Sequence, residues 1–414
     1  MNRRIAGEFG SWHRAMVWSS WVMAVGTVEA QAAPEPAPPV RVFVLAGQSN
    51  MEGFGAIQQA DAAGRELPGT LRTLLADPAT ASTCSHLIDA RPAAAPQRFT
   101  VRAANAWFGD PAPGVRKQLA LDWSVDGKPA QRTIQEGDEF VIPAPPARVQ
   151  FTRAVYGDLP DGLQTDVLAA VRRMADSAAV VWRERDDVVV AFGERRGPLR
   201  PGFGANADLF GVELQFGQVL GDRLDEPVLL VKAAWGGKSL FADFRPPSAG
   251  GKVGPNYELL LEQVRAVLAD PGAVHAPWRG RETRLSGLVW WHGWNDGCDP
   301  EHAVPEYEAN LVHLIRDLRK DLAVADLPVV VAELTGPWVA PAEPEWRSIR
   351  AQQAAAAGRE EWAGTVAFVP TAAFVRPEAQ SPGGWACHEF NNAETYFLVG
   401  DACGRAMATL LSAR

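Results

Sequence analysis

Ser49 stands where a hydroxyl can do chemistry. The apolar run Val42-Phe43-Val44-Leu45-Ala46 breaks abruptly at Gly47-Gln48-Ser49-Asn50-Met51, so a buried strand ends in a turn that carries one hydroxyl. In open α/β folds that edge of the sheet is where ligands bind. Attack on a carbonyl would need a base to take the proton and a donor for the charge that develops on oxygen. A serine in this place can instead cap the following helix. Of the seven histidines, His13 falls in the leader, His302 and His313 on or beside a predicted surface helix, and His86 and His275 in loop-like sequence. That leaves His292 and His388 as candidate bases. Trp235-Gly236-Gly237-Lys238-Ser239 and Gly293-Trp294-Asn295-Asp296 each follow an apolar run, Val228 to Val231 and Leu288 to Trp291, so glycine backbone and an amide also stand near strand ends. Each segment alone reads as an ordinary tight turn. No His, Cys, Asp or Glu group has metal-ligand spacing, Cys298 with His302 being an isolated pair, and no glycine loop of the phosphate-cradling type occurs.

The rest of the chain must position these residues. With 414 residues and 47% hydrophobic content it can bury a large core, in two domains or in one carrying a large insertion. A net charge of −9 without a basic cluster argues against nucleic acid and against an anionic membrane surface. Residues 1–32 read as a secretory signal peptide, with Arg3, Arg4 and Arg14 ahead of an apolar stretch from Ala15 to Val28 and a small-x-small site at Ala30-Gln31-Ala32. An uncleaved anchor is the alternative. A Pro/Ala linker over 33–40 leads into the first strand, and the expected location is secreted or periplasmic.

Two kinds of pattern follow. From Gln97 to Tyr156 apolar and polar residues alternate between turn signals such as Asp126-Gly127 and Glu136-Gly137-Asp138, which predicts a small all-β unit. From Val188 onward, short apolar runs at Val228 to Val231, Leu288 to Trp291 and Pro328 to Ala332 alternate with helical spacing at Tyr257 to Leu268 and Tyr307 to Leu322. Strands alternating with helices predict βαβ units and a doubly wound parallel sheet.

Taken in order, the Ser49, Gly236-Gly237, Asn295 and His388 segments, the last being Cys387-His388-Glu389-Phe390-Asn391-Asn392, resemble the blocks of the SGNH hydrolases. The form is that of sialate O-acetylesterases and acetylxylan esterases, with Gly-Gln-Ser-Asn-Met in place of Gly-Asp-Ser-Leu. The resemblance spans Arg41 to Pro78 and Val188 to Leu411. It implies a three-layer, flavodoxin-like α/β domain made of 41–83 and 176–414, with 97–157 as the all-β insertion. It also implies Ser49 as nucleophile, His388 as base, and an oxyanion hole made of the Ser49 and Gly237 backbone N–H groups and Asn295, with Gly236 the alternative to Gly237. Gln48, Trp235, His292 and Trp294 would line the substrate, and indoles, Trp291 included, could stack on sugar rings.

The implied activity is removal of O-acetyl groups from a saccharide without a cofactor, the sugar being left open. Two departures qualify it. Trp385 stands three residues before His388, where the superfamily commonly places Asp, and His292 stands where many relatives carry Gln. The orienting acid therefore stays open among Asp296, Glu389, Glu394 and a backbone carbonyl. An inactive carbohydrate-binding protein and an esterase for longer acyl chains remain alternatives. Convergence of the loops would also bring Cys298 to Cys387, a disulfide that competes with Cys387–Cys403.

Overall fold

The computed structural model describes residues 37–59, 66–87, 99–108, 110–144, 148–172, 182–336 and 344–413, and the expected signal peptide lies outside them. Seven strands build the central sheet: β1 (Val40–Gly47), β2 (Arg185–Phe192), β3 (Arg195–Leu199), β4 (Val228–Ala234), β5 (Thr283–Trp291), β6 (Val329–Ala332) and β7 (Val366–Val369). Their order is β3-β2-β4-β1-β5-β6-β7. Every neighbouring pair is parallel except the β2–β3 hairpin at the edge. This is the mixed α/β class that the sequence predicts.

Both faces of β1 are buried, which is why its sequence is a continuous apolar run rather than an alternating one. Val42, Val44 and Ala46 face one cluster with Leu288, Trp290, Tyr307 and Leu311. Phe43 and Leu45 face another with Phe216, Val289, Tyr396 and Phe397. The helices that supply these layers are α2 (Glu213–Gly221), α3 (Pro255–Ala269), α5 (Ala303–Asp321), α6 (Pro344–Ala357) and α7 (Ala393–Ser412), while α1 (Ser49–Glu52) and α4 (Trp294–Gly297) are single turns at the sheet edge. Residues of α2 and α7 cover the Phe43 face, and those of α3, α5 and α6 the other.

The antiparallel part is separate in hydrogen bonding. Lys128–Gln135, Gln118–Val125, Val149–Gly157 and Gln164–Asp166 form one sheet in that order, and Phe99–Arg102 pairs with Glu139–Ile142. Leu119, Leu121 and Trp123 point alternately into its own apolar cluster with Phe151 and Tyr156. Asp126 and Gly127 both take positive φ, 51° and 79°, the two-residue hairpin geometry that such a dipeptide favours. These strands run on to Asp166, beyond the expected end of the unit at 157. Arg102 joins this part to the α/β part, its Nη1 lying 2.9 Å from Asp208 Oδ2.

One feature of the main sheet fixes the site. Gly47 at the end of β1 is level with Ala234 at the end of β4 and with Trp291 at the end of β5. The three strands are neighbours, so the loops that follow them leave the sheet at one height. Gly47 is required there: a Cβ at this position would stand 2.1 Å from the Trp291 carbonyl oxygen. Gly47→Ala should therefore lower unfolding stability by at least about 1–3 kcal/mol, the usual range for overpacking, and a denaturant midpoint unchanged from wild type would refute this account of the junction.

Candidate active site

Ser49 is the first residue of α1 and is 8% exposed. Its turn is fastened on several sides. The Gln48 side-chain oxygen accepts from Gly293 N at 3.1 Å and lies 3.5 Å from Asn295 N, tying the turn after β1 to the turn after β5. Asn50 Nδ2 donates to Thr335 Oγ1, and the Tyr396 hydroxyl donates to Asn50 Oδ1 at 2.9 Å. Below α1, Lys232 Nζ donates to the Glu52 carbonyl (2.8 Å), the Phe203 carbonyl (2.6 Å) and Glu213 Oε2 (2.7 Å). All three ammonium protons are thus used, and a cation sits at the C-terminal end of α1, where the helix dipole favours one. Burial pulls the Lys232 ammonium below its ordinary range, and the Glu213 charge opposes that.

Gly236 and Gly237 follow β4 and lie exposed beside Ser49. A Cβ built on Gly236 would be 3.7 Å from Ser49 Cβ. The Gly236 N–H is taken, donating to Glu52 Oε1 at 3.1 Å. The Gly237 backbone is left-handed, with φ 71°, and its N–H has no partner among the described residues. Asn295 lies in α4, half-buried, with its backbone toward Gln48. The Ser49 hydroxyl likewise makes no hydrogen bond among the described residues.

Gln48, His292 and Asp296, all expected at the site, do other work; Gln48, expected to line the substrate, is 1% exposed and spends its side-chain oxygen on the turn after β5. His292, expected to touch substrate, is 1% exposed and packed on Trp290 with ring centroids 4.6 Å apart. Its Nε2 lies 3.0 Å from the Lys238 carbonyl, so that nitrogen carries the proton and donates. Burial pushes His292 down to about 3, against the carbonyl bond that favours the charged form. Asp296, the first candidate for the orienting acid, is 1% exposed and has its carboxylate engaged by the loop after β4 rather than by His388. Its Oδ1 accepts from Leu240 N and Phe241 N at 3.0 and 2.9 Å. Both side chains pin the loop after β4 to the turn after β5. A core position with one carbonyl to satisfy suits His or Gln alike, which accounts for the departure at 292.

His388 sits on the loop before α7, half-buried, with its ring between Phe54 and Trp385. The Phe54 centroid is 3.8 Å away at 15° and the Trp385 centroid 5.7 Å away at 22°. Trp385, in the place of the superfamily's Asp, is 73% exposed. Burial alone moves the His388 imidazole, below its ordinary range, and no charged neighbour contributes. Neither remaining acid candidate orients the ring. Glu394 is bound by Arg376 through Nε and Nη2 at 2.7 and 2.9 Å, and Glu389 is buried against Asn50 and Thr335. The loop itself is strained: Glu389, Phe390 and Asn391 have φ of 56°, 51° and 61°, each costing roughly 1–2 kcal/mol in a non-glycine residue.

Of the tryptophans expected to offer faces, Trp235 and Trp294 are half-buried and pack on Phe244 and Trp346. Trp291 is buried and donates to the Glu333 carbonyl, so it offers no face. The cysteine pairing also fails to appear. None of the four cysteines is in a disulfide: Cys298 is exposed, and Cys403 is enclosed in the α7 layer. Sequence reasoning missed Phe54, Glu52 and Tyr396. Phe54 and Glu52 had a signal, since both lie within one turn or so of Ser49.

The fold is a mixed α/β scaffold with a seven-stranded, mostly parallel sheet, and the serine turn lies at the edge where three strands end level. Residues 174–372, just under half of the chain, match the family described as carbohydrate esterase, sialic acid-specific acetylesterase. The matched span contains Gly236, Gly237 and Asn295 and excludes Ser49 and His388. No curated protein sequence matches the chain. Among solved structures it is similar to a protein from Arabidopsis thaliana (TM-score 0.45, 12% identity, 89% of this chain and 98% of the other). It is also similar to NanS (0.40, 14%, 92% and 99%) and to a carbohydrate acetylesterase from Xanthomonas citri (0.38, 14%, 72% and 69%). At these scores the structural likeness carries no functional argument.

The clamp makes a pH prediction. Burial raises Asp296 from its ordinary 3.8 to about 7, so the folded chain holds this proton more tightly than the unfolded chain. Stability from this group is then complete below about pH 4, falls as pH rises to about 7, and is flat above. The stability advantage of wild type over Asp296→Asn should shrink across that window by an amount on the order of a few kcal/mol, measured by urea unfolding at stepped pH. An advantage that grows with pH would mean that Asp296 is an ionised, charge-paired group. His292→Gln, which keeps a donor for the Lys238 carbonyl, should retain most activity where His292→Leu does not.

Proposed function

We propose that this chain is a serine esterase that removes O-acetyl groups from a carbohydrate. Ser49 Oγ attacks the acetyl carbon as the His388 imidazole takes its proton. The oxyanion is held by the Ser49 and Gly237 N–H groups and the Asn295 amide. Collapse expels the sugar oxygen, which takes the proton back from the imidazolium; water, activated by His388, then releases acetate. The observation that carries this reading is the level ending of β4, β1 and β5, which delivers Gly237, Ser49 and Asn295 from three segments to one edge. Because Glu52 occupies the Gly236 N–H, Gly237 is the glycine left to donate. His388 is oriented by ring packing and works without an acid.

Gln48 braces the turn, and Trp235 and Trp294 flank the sugar. The reading includes the division into an esterase domain, 41–83 with 176–414, and an inserted β unit, expected over 97–157, whose strands run on to Asp166. It also includes export: N-terminal sequencing of the secreted or periplasmic product should begin near Ala33.

Acetate release from p-nitrophenyl acetate, from acetylated xylo-oligosaccharide and from O-acetyl sialate tests activity and sugar preference together. Ser49→Ala should lower kcat by roughly 10⁴-fold or more with the fold intact, and Asn295→Ala by about 10²–10³-fold. Most activity surviving in Ser49→Ala would overturn the mechanism.

A further inference from the structure

The loop that carries His388 ends on a buried carboxyl that the mechanism above does not use. Glu389 is 1% exposed and lies against the side chains of Asn50 and Thr335. Among the described residues its Oε1 has no hydrogen-bond partner, and it faces Gly336, where a Cβ would stand 3.2 Å away. Asn50 is the residue after the nucleophile, and the Tyr396 hydroxyl bridges Asn50 Oδ1 to the His388 carbonyl at 2.9 and 3.3 Å. The backbone opposes this arrangement, because Glu389, Phe390 and Asn391 are three consecutive left-handed non-glycine residues. Such strain persists only where surrounding contacts over-determine it.

We propose that Glu389 is a positioning residue: its carboxyl, lodged among Asn50, Thr335 and Gly336, holds the His388 loop in its strained form against the nucleophile turn. Burial pushes this carboxyl up to about 7, with Thr335, Arg350 and Asn50 opposing. The form that fits up to neutrality is therefore the protonated one. The groups facing it are Arg350 of α6, whose Nη1 donates to the Leu334 and Gly336 carbonyls, with Glu333 beside Arg350, Tyr396 of α7, and Cys387 on its own loop. Burial holds both Tyr396 and Cys387 above their ordinary ranges, so neither adds charge near neutrality. Ionisation above pH 7 puts an unpartnered oxygen charge into this pocket and loosens the loop.

The inference rests on His388 acting as the base. The test is the pH profile of kcat and KM on p-nitrophenyl acetate for wild type, Glu389→Gln, Glu389→Ala and Thr335→Val, with Ser49→Ala alongside. Wild-type kcat should fall above about pH 7. Glu389→Gln, a neutral isostere, should keep kcat within about threefold at pH 6 and lose that alkaline fall. Glu389→Ala should lower kcat about tenfold or more at every pH with KM nearly unchanged. Thr335→Val, which removes a group favouring ionisation, should move the alkaline limb to higher pH, and it reports even if Glu389→Ala fails to fold. Wild-type kcat and profile in Glu389→Ala, or an unmoved limb in Thr335→Val, overturns the proposal. So does Glu389→Gln as inactive as Glu389→Ala, which would make the charge the requirement. Activity surviving Ser49→Ala overturns the mechanism itself, whereas Ser49 dependence with an indifferent Glu389→Ala overturns only the positioning role.

Discussion

The arrangement depends on one close approach, Gly47 against the Trp291 carbonyl. Only a residue without a side chain lets β1 and β5 end side by side at that height. The next residue exploits it. Gln48 reaches across with a single carboxamide oxygen to two backbone N–H groups of the neighbouring turn. An aspartate here would bring a charge into a position 1% exposed, whereas the longer neutral amide accepts the same bonds without that desolvation cost. Once this contact is made, Ser49 and Asn295 can no longer move independently. The loop after β4 is fixed to the same frame by His292 and Asp296.

Charge beneath the site is handled by full satisfaction rather than by exclusion. Lys232 and Glu213 are both wholly buried, and removal of either would strand the other at a cost of about 3–5 kcal/mol. What this pair does geometrically is specific. Lys232 holds the carbonyl of Glu52, closing α1 from below, while Glu213 also accepts from Gly211 N. A four-residue helix has little stability of its own. Its shape is therefore set by Gln48 at one end, Lys232 at the other, and Asn50 at the side.

Much of the frame was legible in the sequence, for an identifiable reason. Apolar runs buried on both faces, such as Val42 to Ala46 and Leu288 to Trp291, can hardly be anything but central parallel strands, and motifs placed just after them must lie at one edge. The hairpin at Asp126-Gly127 was legible because its backbone demands those residue types. Roles that depend on direction were not. Nothing in the string distinguishes an Asp296 that faces an imidazole from one that accepts two backbone N–H groups behind it. His292 and His388 each stand in a candidate site segment, and only packing buries one on Trp290 and leaves the other half-buried. The cysteines near the two loops suggested a bond; Cys298 does lie near enough for its charge to act on Cys387, yet no disulfide joins them.

The missing acid before His388 then acquires a physical meaning. In a triad the carboxylate does two things: it holds the ring and it stabilises the imidazolium. In the proposed mechanism the holding falls to two aromatic rings stacked on His388, Phe54 close to Ser49 in the chain and the exposed Trp385. Stacking constrains the plane of the ring while leaving both nitrogens without a hydrogen bond among the described residues. An aromatic face also interacts favourably with the cation once it forms, worth roughly 0.5–2 kcal/mol according to exposure. On the proposed mechanism Trp385 is a substitution of means, and its exposed outer face makes the environment of His388 depend on what covers it. A sugar ring laid on that indole would desolvate His388 further and lower its proton affinity, making it a poorer acceptor and a readier donor to the leaving oxygen. Substrate binding and the proton transfer to the departing sugar would then be coupled through one tryptophan.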